Sequence, residues 1–246
     1  MKINFRGLFF TILYFFSIIS YGKEVDTIRL LIFSKTNGYR HTSIKEGKKA
    51  LLKIAYENNY LIDTTENSSY FTSNILRKYS TIIFLNTTMD ILDGEEQKGF
   101  KHFINNGGGF IGIHAAADTE YDWPWYGKLV GAYFKNHPPG TSTATITTID
   151  NSHVSTNHLP KVWEKKDEWY NYKDINPNIN ILCNLEERSY KGGEKGESHP
   201  IVWYHNYDGG RSFYTGFGHT KESFYNDKFL KLLLGAIQYT SNKINP

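Results

Sequence analysis

Between residues 27 and 114, short β-branched and aliphatic runs alternate with segments whose apolar residues recur at helical spacing. No other feature constrains the fold as strongly. Residues 27–33 read as a buried strand ending in polar and glycine residues, and 42–59 as a helix with Ile44, Leu51, Leu52 and Ala55 at helical spacing. A weaker strand at 61–64 and a short helix at 73–78 lead to TIIFL at 81–85, a fully buried strand. Asp93 with Glu96 three residues on resembles a capping box, opening a helix through Phe100 and Phe103 that a glycine run ends after Asn105. GGGFIGIHAA then reads as a fourth strand entering a sharp turn. The order βαβαβαβ with right-handed crossovers implies an α/β fold, a parallel sheet with helices on both faces.

The second half follows a different pattern. Strands are expected at 144–148 and 179–185, a hairpin at 201–204 and 212–215 around YDGG, and a closing helix at 227–239. The stretch 118–178 reads as long loops, which carry function more often than not. At the N-terminus Lys2 and Arg6 precede an apolar run over 8–19, with Ser20 and Gly22 at the −3 and −1 positions of a cut. This is the pattern of a signal peptide over 1–22, and the run is shorter than the ~20 residues of a spanning helix. A single domain over 23–246 is expected, soluble with no membrane span after cleavage, and periplasmic or secreted. The formal charge of +3 includes Lys2 and Arg6, so the remainder is near neutral and nucleic acid is excluded as a partner. The single cysteine, Cys183, rules out an internal disulfide.

The segment Gly112-Ile113-His114-Ala115-Ala116 has the small-x-nucleophile-x-small form of a strand-to-turn elbow, with His114 at the protruding position. An imidazole there serves as base or metal ligand, not as a thiolate. Cys183 lies in another apolar strand without an elbow, so glutaminase chemistry is rejected. Open α/β sheets bind ligands beyond the carboxyl ends of their strands, where the loops at 35–41 and 86–88 should meet His114. Arg40 would clamp an oxyanion or carboxylate, or else pair with a surface carboxylate. His41 and Asn86 would bind hydroxyls. Trp123, Trp125, Tyr126, Trp169 and Tyr170 would stack on a sugar ring or pack the loops, and Trp169 is singled out because it adjoins Glu168. His102, His153, His158 and His205 read as surface or turn residues.

GYRHTSI (38–44), GGGFIGIHAA (107–116), LVGAYFKNHP (129–138), DEWY (167–170), HPIVW (199–203) and GRSFYTGFGH (210–219) occur in this order. The set resembles the ThuA, or trehalose-utilisation, family over nearly the whole mature chain. It departs from the family pattern at Val154 and His158. The resemblance implies a flavodoxin-like fold of the class I glutamine amidotransferase type and a role in disaccharide or keto-sugar metabolism. Carried over position by position, its polar residues are His41, His114, His137, Glu168 and His219. From these, His114 and Glu168 are the expected catalytic residues, and Arg40, His41, Asn86 and Trp169 the expected contacts to a small-molecule carbohydrate. A divalent metal such as zinc would use His114, His137 and His219. The plain alternatives are that His137 bonds a turn and His219 caps the last strand. Two functions follow: an exported acid–base enzyme, metal-assisted if the site is loaded, acting on a disaccharide, glycoside or 3-keto-sugar; or a non-catalytic sugar-binding protein on a degenerate scaffold.

Overall fold

Three strands of the first half are buried from end to end or nearly so: β1 (Arg29–Phe33), β3 (Thr81–Leu85) and β4 (Gly109–Ile113). Each fully buried Leu, Ile or Phe in them contributes about 1.5–3 kcal/mol, so these strands form the centre of the sheet. A computed structural model describes residues 27–241, and the expected signal segment at 1–22 lies outside the described residues. Between these strands lie α1 (Ile44–Glu57), β2 (Leu61–Thr65), α2 (Ser73–Leu76) and α3 (Gly94–Asn105). The capping box is present, with Asp93 accepting from the Glu95 and Glu96 amides and Glu96 from the Asp93 amide.

The rest of the chain forms α4 (Pro124–Val130), β5 (Tyr133–Asn136), β6 (Ser142–Thr148), β7 (Val162–Asp167), β8 (Asn171–Lys173), β9 (Asn180–Leu185), β10 (His199–Tyr207), β11 (Gly210–Thr215) and α5 (Asp227–Ser241). The main sheet has the order β2-β1-β3-β4-β11-β10-β9-β6-β7, and β5 pairs with β8 alone. From β2 to β11 all neighbours are parallel, in the order of a flavodoxin-like sheet. From β11 outward every pairing is antiparallel.

The stretch 118–178, read as long loops, carries α4 and four strands between its loops. Helix α4 begins with Pro124 in its first turn and ends at Gly131, whose φ of +96° is the left-handed cap that glycine favours. Strand β7 alternates exposed and buried residues, with Lys165 among the buried ones.

Parallel register determines what leaves the sheet edge together. Ile113 pairs with Leu85 on one side and Thr215 on the other, so His114, Asn86 and Gly216 emerge side by side. The loop after β1 joins them, because β1 and β3 are adjacent.

Candidate active site

His114 occupies the turn after β4 with φ +47°, a left-handed conformation uncommon outside glycine and one that clusters at functional sites. A Cβ on Gly112 would meet the Tyr214 ring at 3.0 Å and Ala116 at 3.2 Å, which is why the elbow needs a small residue there. The Tyr214 hydroxyl donates to the His114 carbonyl at 2.8 Å, and the imidazole is fully buried. Its Nδ1 lies 2.9 Å from the Gly216 carbonyl. A carbonyl only accepts, so Nδ1 carries the proton and Nε2 turns its lone pair into the site.

There Nε2 of His114 meets Glu168 Oε2 at 3.3 Å and His219 Nδ1 at 3.3 Å, while His219 Nδ1 lies 3.0 Å from the same oxygen. These groups face one another as acceptors unless a proton or a cation lies between them. Burial opposes ionisation of Glu168, but where a proton lies between these groups the hydrogen bonds and charge of His114 and His219 prevail and hold its carboxyl well below the usual range. Burial likewise works against His219, and the Glu168 carboxylate overcomes it and raises the imidazole. His41 behaves oppositely. Burial, followed by the adjacent His114 and His219, pushes its pKa down to about 2. Its ring stands edge-on to both at 5.0 and 5.1 Å, and its buried Nδ1 has no hydrogen-bond partner.

Ligand atoms of His41, His114, Glu168 and His219 all lie within 4.8 Å of one another. Three imidazole nitrogens and one carboxylate oxygen suit a tetrahedral divalent ion, whose ligand atoms lie roughly 3.3 Å apart. The neutral, unpartnered His41 fits this role, and the carbonyl on His114 Nδ1 supplies the orienting bond a metal-bound histidine uses. The expected trio of His114, His137 and His219 is thereby altered. His137 is not in the cluster; its Nδ1 sits 3.2 Å from Glu168 Oε1 and 2.8 Å from the Pro138 carbonyl.

A cleft of about 460 Å³ opens over the cluster, lined by His41, His137, Glu168 and His219 together with Tyr39, Asp118, Phe134 and Tyr170. His114 lies beneath as floor. Three residues expected to contact carbohydrate lie elsewhere. Arg40 pairs with Glu66 at 2.8 Å on the surface, as the plainer alternative held. Asn86 is buried and donates to Ser43 Oγ and the Gly218 carbonyl, joining two loops below the cleft. Trp169 is buried with its indole N–H on the Ser142 carbonyl, since consecutive residues of an extended chain point to opposite sides. Tyr170 lines the cleft instead, its ring 4.2 Å from that of His114. Trp123 and Trp125 stack on each other and contact Phe100, and Tyr126 is core. His205 is likewise buried in β10 and not a surface residue.

Asp118 was not expected. It lies four residues past His114, at the end of the turn His114–Asp118, and that spacing from the elbow was the available signal. The His219 loop is held by Asp167, which accepts from the Gly218 and Thr220 amides and the Ser223 hydroxyl at 3.0, 3.3 and 2.7 Å. Lys165 balances its charge from 3.4 Å. Cys183 is buried in β9, three strands from β4, and burial pushes its thiol up to about 12.

The family model for trehalose utilisation, ThuA, matches residues 29–240. The chain belongs to the ThuA family. Among solved structures, a ThuA-like protein from Bacteroides uniformis is similar at 25% identity and TM-score 0.75, covering 89% of this chain and 93% of its own. A ThuA-like protein from Parabacteroides merdae shares 19% identity at TM-score 0.71, over 89% of this chain and 92% of its own. PurLQS from Thermotoga maritima, at 11% identity and TM-score 0.51 over 87% of this chain and 99% of its own, shares the fold alone. A comparison with curated proteins gives no match.

Proposed function

We propose that this ThuA-family chain is an exported enzyme that cleaves an oxidised, 3-keto disaccharide or glycoside by acid–base chemistry at a divalent metal centre. The observation that carries the reading is the convergence of His41, His114, Glu168 and His219 within 4.8 Å beneath an open cleft. A divalent ion bound there would supply Lewis-acid polarisation of a substrate oxygen. His137 provides the base. Its Nδ1 faces two acceptors, the Pro138 carbonyl and Glu168 Oε1, so the proton resides on Nδ1 and Nε2 is free to accept. A ketone at C3 acidifies the C2 proton. His137 Nε2 removes it, the electron pair forms the enolate, and collapse of the enolate expels the C1 substituent. The Tyr170 and Phe134 rings offer an apolar wall to the sugar, and no thiolate is required.

Turnover of 3-keto-trehalose and native trehalose by full-length protein, with metal content measured on the same preparation, tests the proposal. The expected result is stoichiometric divalent metal and turnover confined to the keto-sugar. Binding of native sugar with neither metal nor turnover would instead support the non-catalytic reading. Export rests on the charged, apolar and small-residue order of residues 1–22. N-terminal sequencing should find the mature chain starting near Lys23, and Met1 retained on a membrane-bound form would overturn it. Among the described residues no helix is long and apolar enough to cross a membrane.

A further inference from the structure

The cleft contains a second carboxylate besides Glu168. Both oxygens of Glu168 are engaged, Oε2 by His114 and His219 and Oε1 by His137, so Glu168 has no free oxygen for proton transfer. Asp118 also lines the cleft. Its Oδ1 accepts from the Tyr121 hydroxyl at 2.6 Å, and its carboxyl makes no other hydrogen bond among the described residues. Tyr121 is itself fixed, its hydroxyl 3.3 Å from the Phe134 carbonyl and its ring stacked on Tyr133 at 5.2 Å. The carboxyl is thus oriented through one oxygen, and the other is left for a ligand.

We infer that Asp118 is the general acid that protonates the departing glycosidic oxygen. The inference rests on the reading of the cleft as a keto-glycoside-cleaving site. In the step, the C2–H bond breaks with its proton passing to His137 Nε2, and the freed pair becomes the C1=C2 bond as the C3 carbonyl is restored. The C1–O bond breaks, its electrons stay on the aglycone oxygen, and that oxygen takes the Asp118 proton. His137 ends protonated and Asp118 ionised, and water returns the proton between them. The environment suits the role: burial raises Asp118 above the ordinary aspartate range, against the Tyr121 hydrogen bond and the nearby His114 and His137. Carboxyls of one site held in opposite states are how acid and base roles are divided.

A departing alkoxide needs that proton and a departing nitrophenolate does not. Full-length wild type and Asp118→Asn are compared on methyl 3-keto-glucoside and 4-nitrophenyl 3-keto-glucoside, with metal content measured for both proteins. The variant should lose about 10²–10³-fold on the methyl glycoside and less than tenfold on the nitrophenyl one, with metal unchanged. Equal losses on both substrates, or none on either, would overturn the assignment. Tyr121→Phe, which removes the orienting bond and the longer contact to the Phe134 carbonyl but keeps the ring and the Asp118 carboxyl, should show a smaller loss with the same preference, and serves if Asp118→Asn folds poorly; a loss without that preference counts against Asp118. Wild type inactive on both glycosides would sink the keto-sugar reading and this inference with it.

Discussion

The parallel strands and the antiparallel extension supply different halves of the site by different means. His41, His114 and His219 follow β1, β4 and β11, and the sheet register places the central one: Ile113 lies opposite Thr215, so His114 must meet Gly216, while the His219 loop also leans on Asp167 of the extension. Glu168, His137 and Tyr170 come from the segment around β5, β7 and β8, where a few short pairings and a buried polar network do the positioning. The contrast teaches that His114 rests on a hydrophobic core that would form without it. The carboxylate depends on the Lys165–Asp167 pair being intact.

The largest effect should come from the floor of the cluster. His114→Ala is expected to lose metal and to lower keto-glycoside turnover by about 10³-fold or more while keeping a native circular dichroism spectrum, because β4 does not depend on that side chain. Unfolding of this variant at room temperature would break the claim that the parallel half is self-sufficient. Asp167→Asn comes next. It leaves Lys165 buried without its counter-charge, the side chains being 5% and 0% exposed, and should cost about 3 kcal/mol in urea unfolding. The double variant Lys165→Met with Asp167→Asn should recover most of that. If Asp167→Asn alone unfolds like wild type, the extension does not depend on the pair.

Cys183→Ser sharpens the comparison from within the extension. A hydroxyl in that apolar strand should cost about 1 kcal/mol and leave turnover unchanged, and any glutaminase activity lost with it would contradict the elbow argument. The smallest effect belongs to Arg40. Arg40 and Lys48 bring Glu66 down to about 2 from an unfolded value of 4.5, against the opposing pull of burial. A depressed carboxylate stabilises the fold above pH 4.5 and loses that contribution as pH falls through about 2. Arg40→Ala should therefore flatten part of the stability change across that window, by less than about 1 kcal/mol given the exposure of the pair, with turnover at neutral pH unaffected. A clear loss of turnover would return Arg40 to the cleft.

The parallel half was legible because local signals agree with the fold. TIIFL can only be buried, and Asp93 with Glu96 announces α3. The elbow was legible for the same reason, since Gly112, Ala115 and Ala116 mark a turn that needs small residues. The extension was not. In β7 the inward positions are Trp163, Lys165 and Asp167, and two charges facing the core hide the period-2 pattern. Adjacency along the chain misled at Trp169, whose neighbours Glu168 and Tyr170 share the cleft while the indole turns to the core. The preference for His41 over His137 as a ligand depends on ring positions set by loops after different elements, which spacing cannot reveal.

Metal analysis of the full chain alongside His41→Ala and His137→Ala tests the central claim most directly. The account predicts stoichiometric divalent metal in the wild type, retained in His137→Ala and lost in His41→Ala. A wild-type protein that binds no zinc on titration, or a site that survives His41→Ala and is lost in His137→Ala, would contradict it.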